Sequence, residues 1–237
     1  MSALRAGISR GAPRCYRRAR RYTSVTPSTR RQERYGCPSG LRHQCLARRL
    51  HFIENRCSDQ LKQAAFDVYL VSVNGLLRWP GHTFRIFVLY RLCRWDIGTG
   101  TSVERGLRVT TKGGVRLGSG CNINRDVTLD GRGGLAIGDQ VNISPEVAVL
   151  TAEHDPDSPC FKGRTRSVTI GSRSWLATRA TILPGAVLGE GAVVGAGAII
   201  SGIVPPWSIV GHGPAREIRS RDPGAQAMLE SYRRWLH

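Results

Sequence analysis

The sequence predicts an all-β fold, a parallel β-helix with helices before it and a short helix after it, and three observations carry this prediction. Apolar residues recur at every sixth position between residues 97 and 210, small residues stand two positions before several of them, and glycine often follows them. Six residues make one short strand and a corner, so three hexads close a triangular coil of about 18 residues. Fifteen apolar residues in phase disfavour an ordinary β-sandwich with frequent turns.

The repeat consists of five sets of three apolar anchors. Because the side chains of a strand alternate, each anchor and the residue two positions before it both point into the coil. The inner residue is expected to be small near a corner, and glycine tolerates the corner backbone after the anchor. The anchors are Ile97, Val103, Val109, Leu117, Ile123, Leu129, Ile137, Ile143, Val149, Ile170, Leu176, Ile182, Leu188, Val194 and Ile200, and the small inner residues are Ala180, Ala186, Ala192 and Ala198.

Three longer intervals interrupt the repeat, and each follows the third anchor of a set. Two of them are two residues longer than six and contain the Gly-rich segments 112–114 and 131–134; the third is fifteen residues longer and contains segment 151–167. The extra residues are therefore expected to stack at one corner, as two small bulges beneath one long loop. Long loops on a rigid scaffold tend to carry function, and this one contains His154.

The first part of the chain is predicted to be a basic, disordered arm over residues 1–58. It is rich in Arg, Ser, Pro and Gly and has no apolar period. Residues 1–60 hold fourteen Arg against three acidic residues, so they carry +11 of the formal net charge of +18. A transit peptide, a nucleic-acid-binding arm and sequence upstream of the true start all fit this composition.

Segments on both sides of the repeat are predicted to be helical. Residues 59–96 are expected to form one helix from Asp59 to about Leu77 and another in the dense apolar stretch 84–95. These helices are expected to cap the open end of the β-helix, with contact between 84–95 and a membrane surface as the alternative. Residues 211–237 are predicted to be an extension with a short helix that starts near Asp222-Pro223.

Several classes of protein are disfavoured by the composition. Seven scattered cysteines, with no Cys-x-x-Cys pair and no Cys/His cluster, argue against a metal site and suggest a reducing compartment. No apolar run is long enough for a signal peptide or a membrane span, so a cytoplasmic protein is predicted. We also expect no nucleic-acid partner.

Three stretches resemble a known family. They are "CNINRDVTLDGRGGLAIGDQVNISPEVAVLTAEHD", "IGSRSWLATRATILPGAVLGEGAVVGAGAI" and "VPPWSIVGHGPAREIRS". They resemble the hexapeptide-repeat O-acetyltransferases, and among these the galactoside, maltose and colanic-acid-type polysaccharide enzymes, over about residues 84–220. The resemblance implies a left-handed β-helix, a homotrimer, acetyl-CoA as donor and sites in the grooves between subunits. A γ-class carbonic anhydrase shares the fold, but it needs three zinc histidines, and His154 is the only histidine between residues 97 and 210.

The resemblance also assigns roles to individual residues. It implies that His154 of "TAEHD" is the general base and that the acceptor contacts Asn122, with Asn124 beside it, Asp130 and Trp175. The family usually has Thr-Lys-Asp before the Pro-Pro pair, whereas this chain has Ser-Gly-Ile, so the family's lysine is absent. The donor residues implied are Thr178, Ala196, Ser201, Arg216 and Arg219.

These residues predict an acetyl-CoA-dependent O-acetyltransferase that acts on a sugar or polysaccharide precursor. A sugar hydroxyl is a poor nucleophile, so a positioned base must take its proton as it attacks the thioester directly, and histidine suits this task near neutral pH. N-acetylation of an aminosugar and a non-catalytic β-helix scaffold remain as alternatives.

Overall fold

The computed structural model describes residues 42–158, 160–211 and 215–224, with the backbone alone for residues 42–57. Residues 57–153 together with the described residues from 163 onward form one compact unit; the segment 154–162 is grouped apart from it. The predicted arm up to residue 41 and the predicted helix after residue 224 lie outside the described residues. None of the helices within these ranges is both long and apolar enough to cross a bilayer.

Two helices precede the strands: α1 (Arg42–Leu76) and α2 (His82–Arg91). Helix α1 ends close to the predicted position, but it begins well before Asp59, so the prediction of disorder was wrong for residues 42–58. That stretch contains no Gly or Pro and has four Arg and two Leu, which favour a helix. Leu46, Leu50 and Ile53 also follow the i, i+4, i+7 spacing of a helix, a signal that the basic composition outweighed in the prediction.

Helix α1 and the residue after it are bonded to the first coil. The side chain of Asn74 donates to the carbonyl O of Val109 (3.0 Å) and accepts from its N–H (2.8 Å). The N–H of Gly106 donates to the carbonyl O of Leu77. Polar backbone groups at the open edge of a β-helix would otherwise be left to pair with another chain, so these bonds close that edge.

Short strands build three parallel sheets, the faces of the predicted left-handed β-helix. Sheet 1 contains β1 (Asp96–Ile97), β4 (Val115–Leu117), β7 (Leu135–Ile137), β12 (Val168–Ile170), β15 (Val187–Leu188) and β18 (Ile203–Val204). Sheet 2 contains β2 (Ser102–Val103), β5 (Asn122–Ile123), β8 (Asn142–Ile143), β13 (Trp175–Leu176), β16 (Val193–Val194), β19 (Ser208–Gly211) and the antiparallel β20 (Arg216–Ser220). Sheet 3 contains β3 (Arg108–Val109), β6 (Thr128–Leu129), β9 (Ala148–Val149), β14 (Thr181–Ile182) and β17 (Ile199–Ile200).

The core follows the predicted hexad. Every anchor is buried except Ile97, which is partly buried against the core at the first strand. The inner position is not uniformly small, however. It holds Ala at all three places in the fifth coil, and Val168, Ser174 and Ala180 in the fourth. In the first three coils it is mostly Val or Leu, such as Leu107 and Val127, and these larger side chains fill the close-packed interior.

The three interruptions stack at one corner, as predicted. Each follows a strand of sheet 3 and precedes a strand of sheet 1, and we call this edge the loop corner (110–114, 130–134 and 150–167). The two bulges are in close contact, since a Cβ atom added to Gly114 would collide with the carbonyl O of Gly131. The long interruption contains two strands that the sequence did not predict, β10 (Ala152–His154) and β11 (Gly163–Thr165), which pair as a hairpin.

Candidate active site

His154 is the last residue of β10, and its exposed imidazole is held in one orientation. The ring stacks on Phe161, with 4.6 Å between ring centroids and 11° between ring planes. Its Nδ1 lies 2.9 Å from the carbonyl O of Phe161. A carbonyl only accepts hydrogen bonds, so Nδ1 carries the proton and donates, and Nε2 of the neutral ring keeps a lone pair. The imidazole is therefore set up to accept a proton at Nε2.

Two arginines brace the hairpin through Glu153. The carboxylate Oε1 accepts from Arg164 Nε at 2.8 Å and from Arg166 Nη2 at 2.6 Å. The bond from Arg166, followed by that from Arg164, lowers the pKa of Glu153. Glu153 therefore stays ionised at neutral pH and braces the hairpin.

Asp130 lies buried at the loop corner beneath the hairpin. Its carboxylate accepts from Thr110 Oγ1 (2.7 Å), from the N–H (3.0 Å), Nε (2.9 Å) and Nη2 (3.0 Å) of Arg132, and from the N–H of Thr151 (3.0 Å). Burial raises the pKa of Asp130, but these bonds, led by the Arg132 side chain, outweigh burial and hold it well below its usual range. One carboxylate thus ties all three interruptions together.

This burial differs from the predicted contact between Asp130 and an acceptor. The oxygens of Asp130 point inward because Arg132, two residues along the chain, folds over them. The hydroxyl of Thr151 extends the network by donating to the carbonyl O of Asp130 (3.1 Å) and accepting from the N–H of Gly133 (2.8 Å). Asp130 is placed to fix the first residue of the loop.

Two predicted acceptor residues share a row on the outer surface of sheet 2. Asn122 pairs in register with Asn142, and Asn142 pairs with Trp175. Asn122 Oδ1 accepts from Ser102 Oγ (2.8 Å), and Trp175 Nε1 donates to Ser144 Oγ (3.0 Å). The indole ring of Trp175 is half exposed. The row therefore presents polar side chains at Asn122 and Asn142 and an aromatic side chain at Trp175.

Asn142 and Ser144 hold this row, and neither was predicted from the sequence. Asn124 Nδ2 donates to Asn142 Oδ1 (3.3 Å) and to the carbonyl O of Ile143 (2.7 Å), which fixes its amide. The signal was present in the sequence. "Asn-Ile-Asn" at 122–124 and "Asn-Ile-Ser" at 142–144 occupy the same phase in consecutive coils, so the second motif had to lie beside the first.

Thr178 and Ala196 lie together at the corner between sheets 2 and 3. The N–H of Gly197 donates to the carbonyl O of Thr178 at 2.9 Å, so the two residues stack on adjacent coils. Both are exposed, and neither of their amide N–H groups donates to an atom of the described residues. Exposed, rigidly held backbone donors are the kind of group that binds a developing oxyanion.

The remaining predicted donor residues lie towards the last coil. Arg219 continues the row of Trp175, because Trp175 pairs with Val193, Val193 with Ile209, and Ile209 with Arg219. Three strand spacings separate the indole from Arg219, which is about 14 Å. Arg216 is on the same strand, β20, and is also exposed. The exposed Ser201 follows β17 and leads into Gly202, which takes a positive φ of 89°.

A single chain does not bring all of these residues to one place. The base of the loop, with Asp130 and Thr151, occupies the corner between sheets 3 and 1, whereas the row of Asn122 and Trp175 lies on sheet 2. No group of three or more His, Cys, Asp or Glu side chains that could hold a metal occurs in the described part of the chain. Cys160 in the loop is disulfide-bonded.

Comparisons with known proteins agree with this description. Residues 167–202 match the family model described as bacterial transferase hexapeptide (six repeats). The chain is similar to a hexapeptide-repeat-containing acetyltransferase from Vibrio cholerae, solved with acetyl-coenzyme A, at 25% identity and a TM-score of 0.61 over 67% of this chain and 88% of that one. No curated protein matches the chain significantly.

Two further solved structures share the fold. A maltose O-acetyltransferase from Clostridium difficile has 23% identity and a TM-score of 0.61 over 67% of this chain and 88% of its own. A galactoside acetyltransferase in complex with coenzyme A has 22% identity and a TM-score of 0.58 over 66% and 82%. The predicted resemblance to hexapeptide-repeat acetyltransferases and the predicted class, an acyltransferase, are confirmed.

Proposed function

We propose that this protein is an acetyl-CoA-dependent O-acetyltransferase that acetylates a hydroxyl group of a sugar or polysaccharide precursor. The observation that carries the proposal is the His154 imidazole, whose Nδ1–H is bound to the carbonyl O of Phe161 while Nε2 keeps its lone pair. General-base catalysis on a hydroxyl needs a neutral, oriented imidazole. A non-catalytic scaffold would have no need to fix this ring by both a hydrogen bond and a stacked aromatic.

The proposed reaction has one addition and one elimination. Nε2 of His154 takes the proton of the acceptor hydroxyl as the oxygen attacks the thioester carbonyl. The carbonyl oxygen becomes an oxyanion, for which the amide N–H of Thr178 is the proposed donor. The C–S bond then breaks, and the acceptor is released as its acetyl ester. The CoA thiolate takes the proton from the His154 imidazolium.

We assign acceptor binding to the row on sheet 2. The amide of Asn122 offers hydrogen bonds to sugar hydroxyls, and the exposed face of Trp175 suits the apolar face of a sugar ring. Asp130 has a different proposed role, as a positioning residue. It fixes Thr151, three residues before the base, so it acts on catalysis through the loop.

We propose that bound acetyl-CoA extends from Thr178, at the corner between sheets 2 and 3, towards the last coil. Ala196, one coil beyond Thr178, leaves space at the surface for the pantetheine arm. Ser201 lies further along, and Arg216 and Arg219 supply the positive charge that CoA phosphates require. These two arginines take over the task of the family's lysine, whose place here is held by Gly202.

We also propose that the active site is completed in a C3 homotrimer. The loop corner and the acceptor row occupy different sides of one chain, so a loop from one subunit facing the row of another would unite them. The exposed apolar residues Val187, Ile199 and Ile203 on sheets 1 and 3 are of the kind that a neighbouring subunit would cover. Light scattering that gives a monomer with full activity at micromolar concentration would contradict this assembly.

The chemical test is a screen of sugars and aminosugars with acetyl-CoA, followed by mass measurement of the product. We expect a gain of one acetyl group that hydroxylamine removes, because an ester is cleaved and an amide is not. A hydroxylamine-resistant product would replace the proposal with N-acetylation. Failure of the protein to bind acetyl-CoA in calorimetry would favour the scaffold alternative.

A further inference from the structure

Helix α2 presents an aromatic face to solvent. Its inner face buries Arg85, Val88 and Leu89 against the first coil. The outer face carries Phe87, which is 57% exposed, and Tyr90, which is 61% exposed, and Trp79 in the turn before the helix is 63% exposed. Phe84 belongs to the same face by helical spacing and is also exposed. Contiguous aromatic exposure of this kind is uncommon on soluble monomers and marks an interaction surface.

The helix cannot rotate to hide this face. Arg85 Nε donates to the carbonyl O of Val103 in the first coil, and Arg85 Nη1 donates to the carbonyl O of Trp79, both at 2.9 Å. The N–H of Gly113 donates to the carbonyl O of Cys93, just beyond the helix, at 2.7 Å. These bonds fix the inner face against the β-helix, so the aromatic residues are held outward.

The charged residues between Leu77 and Trp95 are all positive, and the exposed Asp96 that follows lies beside Arg91 and Arg94 and pairs with Arg116. Between Leu77 and Trp95 the chain has four arginines and no Asp or Glu. Arg85 is the buried one; Arg78, Arg91 and Arg94 are exposed. Helix α1 adds further exposed apolar side chains at Leu61, Val68 and Val71.

We propose that this surface, comprising Trp79, Phe84, Phe87 and Tyr90 with the flanking Arg78, Arg91 and Arg94, docks the protein on an anionic lipid membrane. Trp, Tyr and Phe favour the level of the lipid headgroups, and arginines beside them bind anionic lipids. Helix α2 lies in the plane of the interface and does not span it. This surface is separate from the proposed catalytic residues, so the inference does not depend on the proposed function.

The test uses the full chain and sedimentation with lipid vesicles of phosphatidylcholine alone or with about 30% phosphatidylglycerol. The wild type is expected to bind the anionic vesicles and to leave the neutral ones largely free. Phe87→Ser combined with Tyr90→Ser keeps every charge and is expected to weaken binding more than tenfold, because it removes two large apolar contacts. Arg91→Gln combined with Arg94→Gln is expected to weaken binding by about 25-fold, at about fivefold for each arginine.

The matched control is Ile218→Ser. Ile218 is 56% exposed on β20, at the opposite end of the β-helix from α2, and its loss is expected to leave vesicle binding unchanged. An independent readout is tryptophan fluorescence with brominated lipids, which should be quenched in the wild type and much less so in Trp79→Phe.

Two outcomes would overturn the inference. If the Phe87/Tyr90 variant binds anionic vesicles as tightly as the wild type, the basic N-terminal segment accounts for the attraction by charge alone. If that variant instead lowers the mass measured by light scattering in the absence of lipid, the aromatic face is covered by a second copy of the chain.

Discussion

Asp130 and Glu153 are two carboxylates that bind arginine at the loop corner, and they differ in almost every other respect. Asp130 is buried and accepts hydrogen bonds from three segments of chain, whereas Glu153 lies in the exposed hairpin and binds Arg164 and Arg166. The first makes the corner part of the rigid core. The second ties together the two strands of the hairpin, so the segment that carries the proposed base can change without unfolding the scaffold.

Among the variants of these two carboxylates, Asp130→Asn is expected to have the largest effect on stability. The change leaves Arg132 beside a neutral amide and removes acceptors for buried donors. We expect a cost of about 3 kcal/mol of unfolding free energy, the low end for breaking a buried pair, because half of the Arg132 side chain is exposed. For a unit of this size the melting temperature should fall by about 6–12 °C. Asp139→Asn is the matched control. The exposed Asp139 carboxylate accepts a hydrogen bond from the N–H of Ser119, and the loss of its charge should change the melting temperature little. Equal losses in both variants would contradict the role given to Asp130.

Low pH should remove the difference in unfolding free energy between the wild type and Asp130→Asn. The pKa of Asp130 is lower in the folded chain than its unfolded value of about 3.9, so its stabilisation is fully present above that value and is lost as the pH falls through the folded pKa. The difference in unfolding free energy should be constant between about pH 8 and pH 5 and should shrink below about pH 4. Urea unfolding at a series of pH values measures it, and a difference that grows with acid would have the wrong sign.

The smallest effect on stability is expected for Glu153→Gln. Exposed ion pairs contribute little, so the melting temperature should stay within about 2 °C of the wild type. The hairpin itself should loosen, and hydrogen exchange of amides 152–165 should become faster while exchange in the coils is unchanged. If the whole protein melts at a markedly lower temperature, the hairpin is part of the cooperative core and the contrast fails.

The same contrast explains what could be predicted from the sequence. The six-residue repeat predicts the anchors, the three sheets and the shared corner, because every coil repeats the same pattern of strand and corner. The burial of Asp130 depends on Arg132 folding back and on Thr151 arriving from a distant segment, and no local period encodes either. The bond from His154 to Phe161 depends on a turn inside the loop, where the repeat is absent.

The sequence identified the candidate base, but not how it is held. "TAEHD" picks out His154 through resemblance, whereas the tautomer follows only from the position of the Phe161 carbonyl. Similarly, Asn122 and Trp175 were singled out by motif, and only the strand register put them in one row with Asn142 between them.

The central claim is that the hairpin provides the base, and His154→Ala tests it most directly. We predict that kcat on the best acceptor falls by about 10²–10⁴-fold, the usual share of general-base catalysis. The melting temperature and the Kd for acetyl-CoA should remain those of the wild type, because the ring is exposed and the proposed phosphate contacts lie on β20. Turnover of His154→Ala within threefold of the wild type, with the fold intact, would contradict the account and place the base elsewhere.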